Sequence, residues 1–75
     1  MFTLQIKTGS YELQNGKFIP KFTLYENSGA NTTVTPFSYP ESPYKSETRA
    51  NEAARHGALK YLQEHFAEGT LYHID

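Results

Sequence analysis

Cysteine is absent from the 75 residues, and so is tryptophan. Without thiols there is no disulfide framework and no thiolate metal site, so the fold must be held by packing and hydrogen bonds alone. Charge of either sign in excess is also missing: 7 Lys and Arg stand against 8 Asp and Glu, a formal net charge of −1. That balance removes the broad electrostatic case for duplex DNA or an anionic membrane surface. No apolar run approaches the roughly 20 residues that a membrane-spanning helix needs. The alternating start Phe2-Thr3-Leu4-Gln5-Ile6-Lys7 lacks the apolar core and the cleavage site of a signal peptide, which points to the cytoplasm. A chain this short supports one small core, so residues 1–75 are expected to form one domain.

Phe2, Leu4 and Ile6 alternate with Thr3, Gln5 and Lys7, the period of a half-buried strand. Asn15-Gly16 is a strong hairpin signal and predicts a type I′ turn, followed by a long strand from Lys17 to Tyr25. Within that strand Phe18, Phe22 and Leu24 share one face, while Lys17, Ile19, Lys21, Thr23 and Tyr25 share the other. Pro20 donates no ladder hydrogen bond and suggests an edge, a bulge or an outward-facing nitrogen. Turn formers from Glu26 to Asn31 precede the β-branched run Thr32–Thr35, a third arm. Pro36, Pro40 and Pro43 among Phe37, Tyr39 and Tyr44 then describe an extended connector that packs on the body.

Ser46 is suited to cap a helix running from about Glu47 to about Phe66, with Gly69 placed to stop it. Ala50, Ala54, Gly57, Ala58, Tyr61, Leu62 and Phe66 form one stripe. The small residues of its first half let the helix approach the sheet closely. Leu71–Ile74 is read equally well as a short edge strand or a trailing tail. The expected class is therefore α+β: a two-layer sandwich in which an antiparallel sheet of three or four strands carries one long C-terminal helix on one face. Its expected core is Phe2, Leu4, Ile6, Phe18, Phe22, Leu24, Ala50, Ala54, Ala58, Leu62 and Phe66.

The chemistry-bearing residues never fall at working spacing. His56 and His65 are nine apart on the helix, about 180° around its axis, so they cannot share a metal, and no pair has i, i+3 or i, i+4 ligand spacing. No serine sits in a glycine-flanked strand-turn-helix elbow, no two carboxylates share an apolar strand face, and no glycine-rich phosphate loop occurs. The expectation is a non-enzyme without metal or organic cofactor.

One helix covers one face of a sheet and leaves the other open. Alternation assigns Lys7, Lys17, Ile19, Lys21 and Tyr25 to that open face, and these are the candidate binding residues. Charge partitions the same way: Met1 to Tyr25 holds three lysines and one glutamate, Ser46 to Asp75 three basic and five acidic residues. Two functions follow. The first is a non-catalytic protein-interaction module, monomeric or homodimeric, binding through the open face or a strand edge. The alternative is a weak single-stranded nucleic-acid-binding domain, with the lysines tracking phosphates and Tyr25 stacking on a base.

The hairpin with long arms, the Pro-aromatic connector and Tyr44-Lys45-Ser46 opening an Ala-rich helix that ends Tyr61-Leu62-Gln63-Glu64-His65-Phe66 resemble small bacterial domains of unknown function. The order of sheet and helix is similar to antitoxin domains of the HicB kind. It is more loosely similar to double-stranded-RNA-binding domains, which typically begin with a helix and place lysines at the start of the last one; here a strand comes first and the helix opens Glu47-Thr48-Arg49. The resemblance implies the same α+β architecture and brings no site residues.

Overall fold

A computed structural model of the chain describes residues 2–75. Its elements are β1 (Phe2–Glu12), β2 (Phe18–Ser28), β3 (Asn31–Ser38), α1 (Glu47–His65) and β4 (Tyr72–Ile74). The α+β expectation holds, with one difference of consequence: the sheet is mixed. Its order is β3-β2-β1-β4, with β1/β2 and β2/β3 antiparallel and β4 parallel to β1. The helix carries the chain across the sheet, so the last segment re-enters beside β1 in the same direction. Ile6 faces Ile74 in that ladder and Gln5 faces His73.

Both hairpin turns follow from their glycines. Leu13 donates to the Lys17 carbonyl at 2.7 Å and Gly16 donates to the Leu13 carbonyl at 3.0 Å. Among the described residues positive φ occurs only at glycines, Gly16 at 82° included, so Asn15 keeps a negative φ and the turn is not type I′. It is a type I turn closed by a left-handed glycine, the three-residue hairpin solution. At the other tip Gly29, φ 66°, takes the first central position of the two-residue link from Ser28 to Asn31, as a type II′ turn requires.

Pro20 lies in β2, an inner strand, and its place explains where the connector leaves. Tyr39 donates to the Pro20 carbonyl at 3.0 Å. Because N and C=O of one strand residue point the same way, the Pro20 nitrogen also points at the connector and offers no hydrogen there. The β2/β3 ladder ends at Lys21 opposite Ser38. In unbroken register Glu41 would meet Phe18; Tyr44 does instead, exchanging two bonds with it at 2.7 and 2.8 Å. The intervening chain loops out, and Pro36 to Ser38, expected as connector, belong to β3.

Ser46 caps α1, its hydroxyl accepting from the Arg49 amide at 3.4 Å. The helix ends at Phe66, whose extended backbone breaks the spiral while its amide still reaches the Leu62 carbonyl at 2.9 Å. Gly69 does not stop the helix. With φ 90° it sits in the next turn, where Thr70 donates to the Ala67 carbonyl at 3.1 Å.

Leu4, Ile6, Phe22, Leu24, Ala58 and Leu62 form the central cluster, with Phe37, Tyr39, Tyr61, Phe66 and Ile74 packed around it. Ala50 and Ala54 are fully buried too. Phe2, expected in the core, is 48% exposed: it pairs with Ser28 at the far end of the sheet and meets only the Phe66 ring, 6.5 Å away. Phe18 and Phe66 are half-buried. The helix packs on β1 and β2 and makes no comparable contact with β3 or β4, so the sheet is wider than the layer over it. The molecule is correspondingly long, 43 × 24 × 18 Å, with a radius of gyration of 13.4 Å where about 11 Å is typical of this length.

Candidate functional site

Register defines the face away from the helix. Opposite Leu4, Ile6, Phe22 and Leu24 lie cross-strand rows of odd β1 residues: Val34, Tyr25, Gln5 and His73 form one, and Pro36, Thr23 and Lys7 the next. Lys21 is opposite Gly9, which makes Lys7 and Lys21 diagonal neighbours. Both lysines are exposed and Tyr25 is half-buried. The Lys7 ammonium sits 5.7 Å from the centroid of the Tyr25 ring, within cation–π range. At the β4 margin His73 Nε2 lies 3.1 Å from Asp75 Oδ1, and the Thr8 hydroxyl donates to the Asp75 carbonyl at 2.6 Å.

Two of the five residues assigned to this face from the sequence are elsewhere. Ile19 is only 1% exposed, as is its neighbour Pro20 within the buried class, so it presents nothing to a partner. Alternation assumes that one face stays bare along the strand. Where β1 flanks Phe18–Pro20 on one side and the connector on the other, two successive side chains are buried instead. Lys17 lies in the turn, its amide donating to Asn15 Oδ1 at 3.0 Å, and is half-buried off the sheet. The structure therefore brings Lys7, Lys21 and Tyr25 together and sets Lys17 and Ile19 apart.

Val34, 53% exposed, and His73 join the face without having been assigned to it. Val34 was visible as part of a β-branched arm, but its row depends on the two-residue turn. The position of His73 depends on the parallel return of β4, for which the local sequence has no signal.

A second concavity, about 660 Å³, lies between α1 and the connector, lined by Tyr39, Tyr44, His56, Gly57, Lys60 and Glu64 among others. Gly57 is required there: a Cβ on it would come within 2.8 Å of the Tyr39 hydroxyl and 3.2 Å of the ring. The Tyr39 phenol titrates above the ordinary tyrosine value because burial disfavours its anion and the carboxylates of Glu41 and Glu64 repel it. His65 stacks on Tyr61 with centroids 4.2 Å apart, so the three histidines serve three separate surroundings. Among the described residues no group of three or more His, Asp or Glu is placed to hold a metal ion, and no helix is long and apolar enough to cross a membrane.

Compared with protein-family models, curated proteins and solved structures, the chain matches none.

Proposed function

We propose that the protein is a non-catalytic interaction module that binds another protein, or a second copy of itself, through the uncovered side of the sheet. One observation carries this reading: α1 covers β1 and β2 on one side only, and the opposite side presents the row Val34, Tyr25, Gln5 and His73 with Lys7 folded over Tyr25. An amphipathic strip of this kind, an apolar centre rimmed by Lys7 and Lys21, suits a protein partner. A two-layer domain of this size has little core to spare, and covering Val34 and Tyr25 would add stability. Single-stranded nucleic acid is the less favoured ligand, because the Lys7 ammonium already occupies the Tyr25 ring face on which a base would stack.

The test is capture of partners from the native cell with the unaltered chain and with Tyr25→Ala and Val34→Lys, alongside sedimentation of each. A protein or second copy retained by the unaltered chain and lost from both variants supports the reading. A strict monomer that captures no protein but binds a labelled oligonucleotide with a salt-dependent constant overturns it in favour of nucleic acid.

A further inference from the structure

The two outer edges of the sheet are built differently. On β3, the residues whose backbone groups point outward are Thr32, Val34, Pro36 and Ser38, because Tyr39 and Phe37 point at β2. Pro36 interrupts that edge and discourages strand addition. On β1 the even residues point outward. Asp75 donates to the Ile6 carbonyl at 3.0 Å, and there the parallel ladder stops: Thr8 meets Asp75 with its hydroxyl, not its amide. From Thr8 to Glu12 the outward N–H and C=O groups have no partner among the described residues, and the run contains neither proline nor lysine.

Gly9 lies within this run and nothing inside the domain explains it. Its φ is not positive, its register with Lys21 is continuous, and a Cβ on it would meet no atom within 4 Å. Glycine in a strand weakens it and often marks the close approach of another backbone. Tyr11, two residues on and on the same side of the sheet, is 39% exposed.

From this edge we infer that two copies of the chain pair antiparallel through Thr8–Glu12 of β1, about a two-fold axis at Ser10. This rests on the reading of the domain as a self-associating module and names the surface. Only a second copy explains the edge by symmetry: the free run is bounded by Asp75 at one end and by the Leu13 turn at the other, and Ser10 is its midpoint. In that register Thr8 exchanges both backbone bonds with the partner's Glu12, and Ser10 does so with its own copy. Tyr11 of each chain stands opposite Gly9 of the other, the aromatic cover that an edge glycine accepts. The Lys7 end of one strand lies beside the Glu12 end of its mate, and no like charges are opposed. The two sheets become one, Pro36 terminates it at both outer edges, and the open faces are joined.

Sedimentation over a concentration series, paired with amide hydrogen exchange, tests this. The unaltered chain is expected to dimerise, with the amides of Thr8, Ser10 and Glu12 protected at high concentration and exposed on dilution. Ser10→Pro removes an outward N–H that the monomer does not use, as Pro36 does in β3, and should raise the dissociation constant by roughly tenfold or more while circular dichroism stays unchanged. Tyr11→Ala, which leaves the backbone intact, should weaken the dimer less. A strict monomer overturns the inference and leaves capture of a different protein by the open face to stand or fall separately. A dimer that survives Ser10→Pro, leaves those amides exposed and is lost in Tyr25→Ala also overturns it, while supporting the open face as the contact.

Discussion

The two halves of α1 pack on the sheet by opposite means. Toward its start, Ala50 and Ala54 are wholly buried and offer no bulk, so contact there comes from the sheet side and from Ile19 and Pro20, also buried in that part of β2. Toward its end, Ala58 and Leu62 join Leu4, Ile6, Phe22 and Leu24, and aromatic rings complete the layer: Phe22 stacks on Phe37 at 4.6 Å, and Tyr61 meets Phe37 at 4.7 Å. A small-residue contact fails by overfilling, whereas an aromatic one fails by leaving a hole. The same helix therefore tolerates opposite errors at its two ends.

Phe22→Ala should expose this difference most sharply, because Phe22 touches Phe37, Tyr39 and Tyr61 and is 1% exposed. A loss of about 3–5 kcal/mol in urea unfolding is expected, a large share of the stability of a domain this small. Ala54→Leu tests the other end. Overpacking should cost about 1–3 kcal/mol there, while Leu62→Met, a volume-conserving change at the aromatic end, should cost less than about 1.5 kcal/mol. If Ala54→Leu leaves the melting temperature unchanged, the close approach of the first half is wrong.

Gly57 stands between the two regimes. Alanine gains about 1 kcal/mol of helix propensity over glycine, but its Cβ would meet the Tyr39 hydroxyl at 2.8 Å. Gly57→Ala should therefore be neutral to destabilising alone and stabilising by roughly 1 kcal/mol when combined with Tyr39→Ala, a sign reversal that a double-mutant cycle reads directly. The smallest effect concerns the Tyr39 phenol, whose raised value comes from burial first and then from Glu41 and Glu64. A folded state that holds its proton more tightly contributes stability fully below the ordinary value of 10.0, and loses it as pH rises through the folded value. Ultraviolet titration of the phenols should accordingly lose its last-titrating component in Tyr39→Phe.

The pieces legible in the sequence were those set by local period or local turn chemistry. Alternation in Phe2–Lys7, Asn15-Gly16, the Ser46 cap and the alanine stripe each constrain only a few neighbouring residues, and the structure has a strand, a hairpin, a cap and a buried face there. Ile19 and Phe2 were misplaced because burial at a strand end depends on what folds over it from elsewhere: the connector in one case, the limited reach of the helix in the other. The turn type was missed for a subtler reason. Asn15-Gly16 suits both hairpin solutions, and the choice rests on whether Asn15 or only Gly16 takes the left-handed conformation. Of the open face, Lys7, Lys21 and Tyr25 followed from strand parity, whereas His73 needed the parallel return of β4, a contact between residues far apart in the chain.

That return has a consequence for the order in which the protein folds. The Thr8 hydroxyl and the Asp75 carbonyl are 67 positions apart, so the β1/β4 ladder closes the largest loop in the molecule for the sake of three residue pairs. The entropy of closing such a loop is repaid only after the hairpins and α1 have drawn the ends together. β4 is then the last element to dock and the first to detach, a latch whose opening lengthens the free edge of β1 down to Leu4 while the core beneath stays folded.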